Sequence, residues 1–267
     1  MGIDAGGLGG TAGSVGAGGS LGSGGSGGRV GVGGSPGVGG GAAGATGGPC
    51  SASGLLFCDD FESSTVGSFP DPTKWTALSN NGGAVKIDNA VPAHSGTKSV
   101  YVNGTGYEQF FMLKGAPVFP APSGRLYVRV YIRLKLAMME GHNTYFEASL
   151  DGVGDPPFEA RVGVQFSALS INQPGNAGER NLYPDPLQKA AVQFAAGAWN
   201  CVEVLFDSPN TTLDTWVNGQ EIPSLHATDW KIEAFNVLRF GFEQYGGPPT
   251  ELWYDDIAVG TQKIGCN

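Results

Sequence analysis

Leu252-Trp253-Tyr254-Asp255-Asp256-Ile257-Ala258-Val259, close to the carboxyl end, alternates apolar and polar residues while carrying two adjacent carboxylates. Two hundred residues upstream, Phe57-Cys58-Asp59-Asp60-Phe61-Glu62 has the same character. Such alternation marks a strand with one buried face. Neighbouring carboxylates persist where a cation offsets their repulsion, and an acidic, oxygen-rich corner favours calcium. If these two strands are neighbours, the chain ends meet and everything between them forms one closed β domain.

The intervening sequence reads as strands. Segments 99–102, 126–134, 143–150, 159–169, 199–206, 212–217 and 237–243 alternate or run apolar and are rich in β-branched and aromatic residues. Asn218-Gly219 between two such runs predicts a two-residue hairpin turn. Asp155-Pro156-Pro157 and segments 172–181, 183–186 and 246–249 mark loops. Many short strands with this punctuation predict an all-β antiparallel sandwich of jelly-roll type, with room for one short helix near Ala190 or Thr228.

Residues 1–49 differ in kind. They hold 24 of the 46 glycines, only Asp4 and Arg29 as charges, and no aromatic residue. Such a tract cannot bury enough apolar surface to offset its ordering entropy, so it is expected to be a flexible, disordered tether. It lacks the strict glycine period of collagen and the strand and helix that flank a nucleotide-binding loop. Residues 50–267 then form the β domain.

A formal charge of −9 argues against a nucleic-acid partner or an anionic membrane surface. No stretch is apolar enough to span a bilayer. The amino terminus shows no signal peptide. The expectation is a secreted or cell-surface protein whose signal, such as that of a lipoprotein with this tract as spacer, precedes residue 1. Cys50, Cys58, Cys201 and Cys266 form an even set without metal-ligand spacing. Three pairings are open; the expected one joins Cys50 to Cys58 and Cys201 to Cys266.

Strand alternation sorts the candidate functional residues. In segment 159–166, Ala160, Val162, Val164 and Phe166 are expected inward, leaving Glu159, Arg161, Gly163 and Gln165 in one outward row. A guanidinium fork, space at a glycine and an amide suit a sugar carboxylate. His142 is expected with Thr144 and Phe146, and Asn143 with Tyr145 and Glu147, unless a bulge merges the two sets. Arg239, Glu243 and Tyr245 share a face, as do Tyr127, Arg129, Tyr131 and Arg133. Rings that stack on sugars beside planar hydrogen-bonding groups are how a β-sandwich holds a polysaccharide. Trp199, Trp216 and Trp253 are expected to be structural, as is His94, and His226 is expected to bond a loop. His142 follows a glycine at a strand start, where an imidazole can serve as a general base.

Several chemistries are absent from the sequence. There is no G-x-S-x-G elbow and no H-E-x-x-H. A glycosidase needs paired carboxyls, and four residues of strand would set Glu147 and Asp151 about 13 Å apart.

Five stretches carry a family likeness: Asp59-Asp60-Phe61-Glu62, His94-Ser95-Gly96-Thr97-Lys98-Ser99, Leu126-Tyr127-Val128-Arg129, Gly197-Ala198-Trp199-Asn200-Cys201-Val202-Glu203 and the closing strand. With these the chain resembles concanavalin A-like jelly rolls over residues 55–266. It is most similar to the secreted, cellulose-induced fungal protein family and its bacterial relatives, themselves similar to glucuronan and alginate lyases. The resemblance implies a structural calcium ion held by Glu62, Ser95, the Lys98 carbonyl and Asp256. It also implies β-elimination of a polyuronate, with Arg161, Gln165 and Asn143 neutralising the carboxylate and His142 and Tyr245 or Tyr145 moving the protons. Asn143, Tyr145, Glu147, Arg239 and Glu243 are the substrate-binding candidates. Gln165-Phe166-Ser167 has serine where the alginate-lyase Gln-x-His has histidine, and the Tyr-x-Lys-x-Gly-x-Tyr strand is missing. Two readings therefore stand: a lyase, or a non-catalytic carbohydrate-binding or adhesion module using the same face.

Overall fold

The computed structural model describes residues 48–80, 82–151, 159–174, 179–230 and 235–266. The expected tether lies outside them up to residue 47, as do Asp155-Pro156-Pro157 and part of the 172–181 loop. The strands are β1 (Leu55–Asp59), β2 (Thr76–Asn80), β3 (Ala84–Asp88), β4 (Ser99–Asn103), β5 (Glu108–Lys114), β6 (Arg125–Leu134), β7 (His142–Ser149), β8 (Glu159–Gln165), β9 (Ala168–Gln173), β10 (Arg180–Leu182), β11 (Trp199–Asp207), β12 (Thr212–Val217), β13 (Gln220–Glu221), β14 (Val237–Gly246) and β15 (Glu251–Gly260). They pair antiparallel into two sheets. One runs β13-β12-β11-β6-β15-β4-β3 with β1 also on β15, and the other runs β10-β9-β8-β7-β14-β5-β2. A jelly-roll sandwich results, with a single large core between the sheets. A 3₁₀ turn at Lys189–Val192 is the short helical element near Ala190.

The two acidic segments are neighbours. Leu55, Phe57, Cys58 and Asp59 pair with Gly260, Val259, Ala258 and Ile257. The first half of β15 pairs instead with β4, through Leu252 to Val102 and Tyr254 to Val100. Between the halves the register slips after Asp255, and Asp256 adopts φ +47. This bulge lets one strand change partners on the same edge. Asp59 is buried, accepts from Trp75 Nε1 at 2.8 Å and lies 3.2 Å from Lys74 Nζ, which relieves one carboxylate of the first pair.

Both expected disulfides are present, with Cα separations of 5.5 Å for Cys50–Cys58 and 5.9 Å for Cys201–Cys266. The second ties the carboxyl terminus onto β11, where the amides of Ile264 and Gly265 donate to Glu203 at 2.6 and 3.0 Å. That tail corrects one expectation. Tyr127, Arg129 and Tyr131 do not offer a sugar face. Arg129 is buried and donates to the carbonyls of Pro49, Asp256 and Gly265, while Tyr131 stacks on His94. Trp199 and Trp253 spend their indole N–H groups on Pro92 and Asp88, and Trp216 is buried under Lys263.

Two further corrections concern 159–169. It is two strands joined by a two-residue turn, and Phe166 is not inward but 60 % exposed, at φ +52 with Ser167 at φ +62. Sequence reading also passed over β2, β3, β5 and β10. In β5, the row Glu108, Phe110, Met112 alternates with Phe111 and Leu113, but both faces are largely apolar, so the period is blurred.

Candidate functional site

A bulge in β7 decides which of its residues join the polar face of the β7–β8–β14 sheet turned away from the core. Thr144 opposes Gly163 and Phe146 opposes Val162, so Tyr145 is the extra residue. Past it the alternation changes phase. Tyr145, Phe146 and Ala148 enter the core, and Thr144 and Glu147 fall on the same outer face. Tyr145 is therefore not a site residue; burial raises its phenol above the ordinary range. The displaced Tyr145 carbonyl accepts from Tyr254 Oη at 2.6 Å, and the same hydroxyl donates to the Gly241 carbonyl where β14 is also irregular. One core tyrosine of the closing strand thus satisfies backbone groups that the ladder cannot.

The bulge also fills the space at Gly163. A methyl there would land on the Asn143 carbonyl, so this glycine admits backbone rather than ligand. The Asn143 amide, oriented to satisfy its neighbours, donates to the carbonyls of His142 at 3.1 Å and Gly246 at 3.0 Å. Its role is to join β7 to β14.

Four expected residues converge. His142 and Gln165 are cross-strand partners. The His142 and Tyr245 rings lie 5.0 Å apart, and the Arg161 guanidinium sits 4.3 Å over the Tyr245 ring. Tyr107, absent from the sequence-based set, meets Tyr245 edge-on at 5.8 Å. Beside them is a cavity of about 310 Å³ lined by Glu140, Gly141, His142, Gln165, Phe166, Tyr183, Gly246 and Gly247. A second, very small cavity of about 10 Å³ is lined by His142, Thr144, Arg161, Gln165 and Asn172 among others. His142 Nε2, Thr144 Oγ1 and Gln165 Oε1 are buried without protein partners. Burial lowers the His142 pKa from the ordinary 6.5, opposed by Glu179 and aided by the Arg161 charge, which favours the neutral imidazole. Burial and the Glu243 carboxylate push the Tyr245 phenol far up. An imidazole biased toward its neutral form and a phenol biased toward its protonated form thus stand side by side.

Beneath them lies an ion-pair network. Arg239 meets Glu147 at 2.9 Å and Asp151 at 2.8 Å, with Glu108 and Glu159 at 3.9 and 3.8 Å. Arg161 pairs with Glu159 and lies 3.9 and 3.8 Å from Glu147 and Glu243. The chain turns after Ser149, so Glu147 and Asp151 share a guanidinium despite the strand spacing that separates their backbones. Glu147 has no exposed surface, which removes it from direct contact with a sugar or a glycosidic bond. Another cavity, of about 650 Å³, lies at the Lys114 and Asp151 end of this sheet. Its two ionisable groups pair with each other, so it offers no acid–base couple.

Burial, together with Glu159 and Glu243, raises Glu147 well above 4.5; burial and Glu243 also raise Glu159, against Arg161. Groups whose folded pKa exceeds the unfolded value stabilise the fold below the unfolded pKa and lose that contribution as pH rises through the folded one. Melting temperature is therefore expected to fall as pH rises from about 5 through neutrality. Glu147→Gln should flatten this slope in thermal denaturation at constant ionic strength. An unchanged slope would remove Glu147 as its source.

The four expected calcium ligands share one corner on the other sheet, around the Ser95–Lys98 turn. Ser95 Oγ donates to Asp256 at 2.7 Å, and Glu62 accepts from the amides of Thr97 and Lys98 at 2.8 and 2.7 Å. A side chain at Gly96 would collide with Glu62, so the turn lies directly on that carboxylate. His94 Nδ1 is 2.5 Å from Asp256, and Lys98 Nζ reaches the carbonyls of Glu62 and Ser64 at 2.6 and 2.9 Å. Asp255, buried beside Asp256, is pushed up to about 8 by burial and by that neighbour. Among the described residues no three His, Cys, Asp or Glu side chains converge tightly enough to hold a metal by themselves. An ion here would need the Ser95 hydroxyl and backbone carbonyls as well, and that oxygen-only donor set fits calcium.

The profile of polysaccharide-lyase-like, Cip1-like core domains matches residues 60–262. The structure is similar to that of the cellulose-induced protein Cip1, at 30 % identity and a TM-score of 0.65, covering 79 % of this chain and all of that one. It also resembles botulinum neurotoxin type C, whose cell entry depends on two ganglioside molecules (TM-score 0.52, 14 % identity, 79 % of this chain, 48 % of that one). The binding domain of serotype G is a similar case (0.52, 9 %, 80 % and 48 %). These two likenesses concern the fold alone. Among curated proteins none matches.

Proposed function

The chain belongs to the Cip1-like, polysaccharide-lyase-like family of carbohydrate-active jelly-roll proteins, and from that premise we propose that it is a lyase cleaving a uronic-acid-containing polysaccharide by β-elimination. The observation that carries the reading is the convergence of His142, Tyr245, Arg161 and Gln165 from three adjacent strands. His142, neutral and at the cavity wall, takes the proton from carbon 5 of the uronosyl ring. The electron pair forms the double bond to carbon 4 as the bond to the glycosidic oxygen breaks. Tyr245, kept protonated, gives that oxygen its proton. Gln165 and the edge of Arg161 stabilise the charge developing on the carboxyl group. Exposed Phe166 and Tyr183, 5.2 Å apart, flank the cavity where neighbouring sugars would stack.

The test is ultraviolet absorbance of the purified protein with glucuronan, alginate, pectate and hyaluronan. A rising signal from the new double bond establishes the lyase; a flat trace on all four polymers rejects it for them. A non-catalytic binding module is the second reading. Both arginines being tied to carboxylates within the chain favours it, and gel retardation without absorbance would select it.

Calcium at the Glu62, Ser95, Lys98 and Asp256 corner belongs to the same proposal; when bound it would offset the buried aspartates and pin β15 to the turn. Saturating calcium should raise the melting temperature relative to chelator, by about 2.7 kcal/mol of stability at a hundredfold excess over Kd. Asp256→Asn should abolish the difference, and identical melting in calcium and chelator would reject the ion. Two disulfides support a secreted or cell-surface location.

A further inference from the structure

The outer face is poorly equipped to meet a free carboxylate. Its cations are Arg161, Arg239 and Lys114, and among the described residues each is paired with carboxylates of the chain itself. The carboxyl groups around them, Glu108, Glu147, Glu159, Glu243 and Asp151, outnumber them, although burial favours the protonated form of Glu147 and Glu159. Both arginine side chains are only 12 % exposed, sunk among these partners. A polyanion entering this cleft finds these three cations already engaged by carboxyl groups of the chain.

Elimination nonetheless requires the carboxyl group at carbon 6 to be neutral in charge, because a free carboxylate opposes a second negative charge next to it. An ester satisfies that requirement without help from the protein. Its carbonyl oxygen develops a single negative charge, for which an amide donor such as Gln165 suffices. On the open side of the cavity the aromatic rings of Phe166 and Tyr183 stand with exposed Glu140, a further carboxyl group and no cation. Phe166 is held outward at a positive φ where asparagine or glycine is usual, with Tyr183 against it.

We infer that, within the lyase reading on which this rests, the preferred substrate is an esterified, uncharged uronosyl polymer rather than the free polyacid. Selectivity is set by Glu159, which occupies Arg161. The step balances without a co-reactant: His142 gains the carbon 5 proton, carbon 4 loses its oxygen substituent, and Tyr245 protonates the leaving oxygen. Exchange with water then restores both side chains.

Glucuronan, alginate and galacturonan, each as the methyl ester and as the alkali-treated free acid, supply the test, read by absorbance of the unsaturated product. On any backbone that is cut, the ester should react at least tenfold faster. Glu159→Gln, which releases Arg161, should narrow that ratio by bringing the free acid up. Faster reaction of the free acid overturns the inference and leaves the lyase reading intact. If no polymer is cut, the lyase reading fails, and the charge preference is decided by affinity electrophoresis in gels containing either form. Stronger retardation by the ester upholds it; equal retardation, stronger retardation by the acid, or none overturns it.

Discussion

Replacing His142 by alanine is expected to lower kcat for elimination by roughly 10²–10⁴-fold while leaving KM nearly unchanged. The imidazole acts only as the carbon 5 proton leaves, so its loss removes transition-state stabilisation rather than ground-state binding. Its placement is a product of the fold. His142 starts β7, faces Gln165 across the β8 ladder and lies 5.0 Å from the Tyr245 ring. The pH profile gives the signature of a base. Burial lowers the His142 pKa, so the acid limb of kcat/KM should fall below 6.5. Burial and Glu243 keep Tyr245 protonated far into the alkaline range, so no loss from its ionisation is expected there. Initial rates of wild type and variant from pH 4.5 to 9 decide it. A variant retaining more than a tenth of the wild-type kcat would remove His142 as the base.

Gly163→Ala is expected to destabilise the domain by about 3 kcal/mol or more, enough to unfold much of it at 37 °C. The added methyl meets the Asn143 carbonyl and the Thr144 backbone, not the end of a flexible side chain, so no rotamer change relieves it. Relief would require the β7 bulge to flatten, which would return Tyr145 to the ladder, break its carbonyl's bond to Tyr254 and swing Thr144 and Glu147 out of phase. Stability and site are coupled through this one position. Gly246→Ala is the contrast, since its nearest neighbour to an added methyl is the His142 amide at 4.0 Å. That change should cost under about 1 kcal/mol. Urea denaturation of both variants makes the comparison, and a Gly163→Ala protein as stable as Gly246→Ala would show that the bulge is dispensable.

Much of the architecture was legible because a strand with one buried face has a period of two. Segments 199–206 and 212–217 carry Val202, Val204 and Phe206, and Leu213 and Val217, at that period on the core face and correspond to β11 and β12. The Asn218-Gly219 turn was equally plain, since φ values of +51 and +81 suit few other residue pairs. Phe166 was misplaced for the opposite reason. It continues an apolar alternation, and nothing local announces that the chain reverses there on two residues with side chains.

The site was legible in its membership and not in its arrangement. Arg161, Gln165, Arg239, Glu243 and Tyr245 could be placed on outer faces by counting in twos, and β8 and β14 bear that out. Counting failed at Tyr145, because a bulge is a property of two strands and neither sequence contains it alone. Sequence by itself determined the fold class, which follows from patterning and residue type, while it left the meeting of first and last strands conditional and three disulfide pairings open until the tertiary structure decided both. Tertiary structure decided which face each β7 residue occupies, that backbone fills the space at Gly163, and that both arginines are already spent on glutamates. Those outcomes depend on what packs across the sheet, where cross-strand contact and burial override the local period.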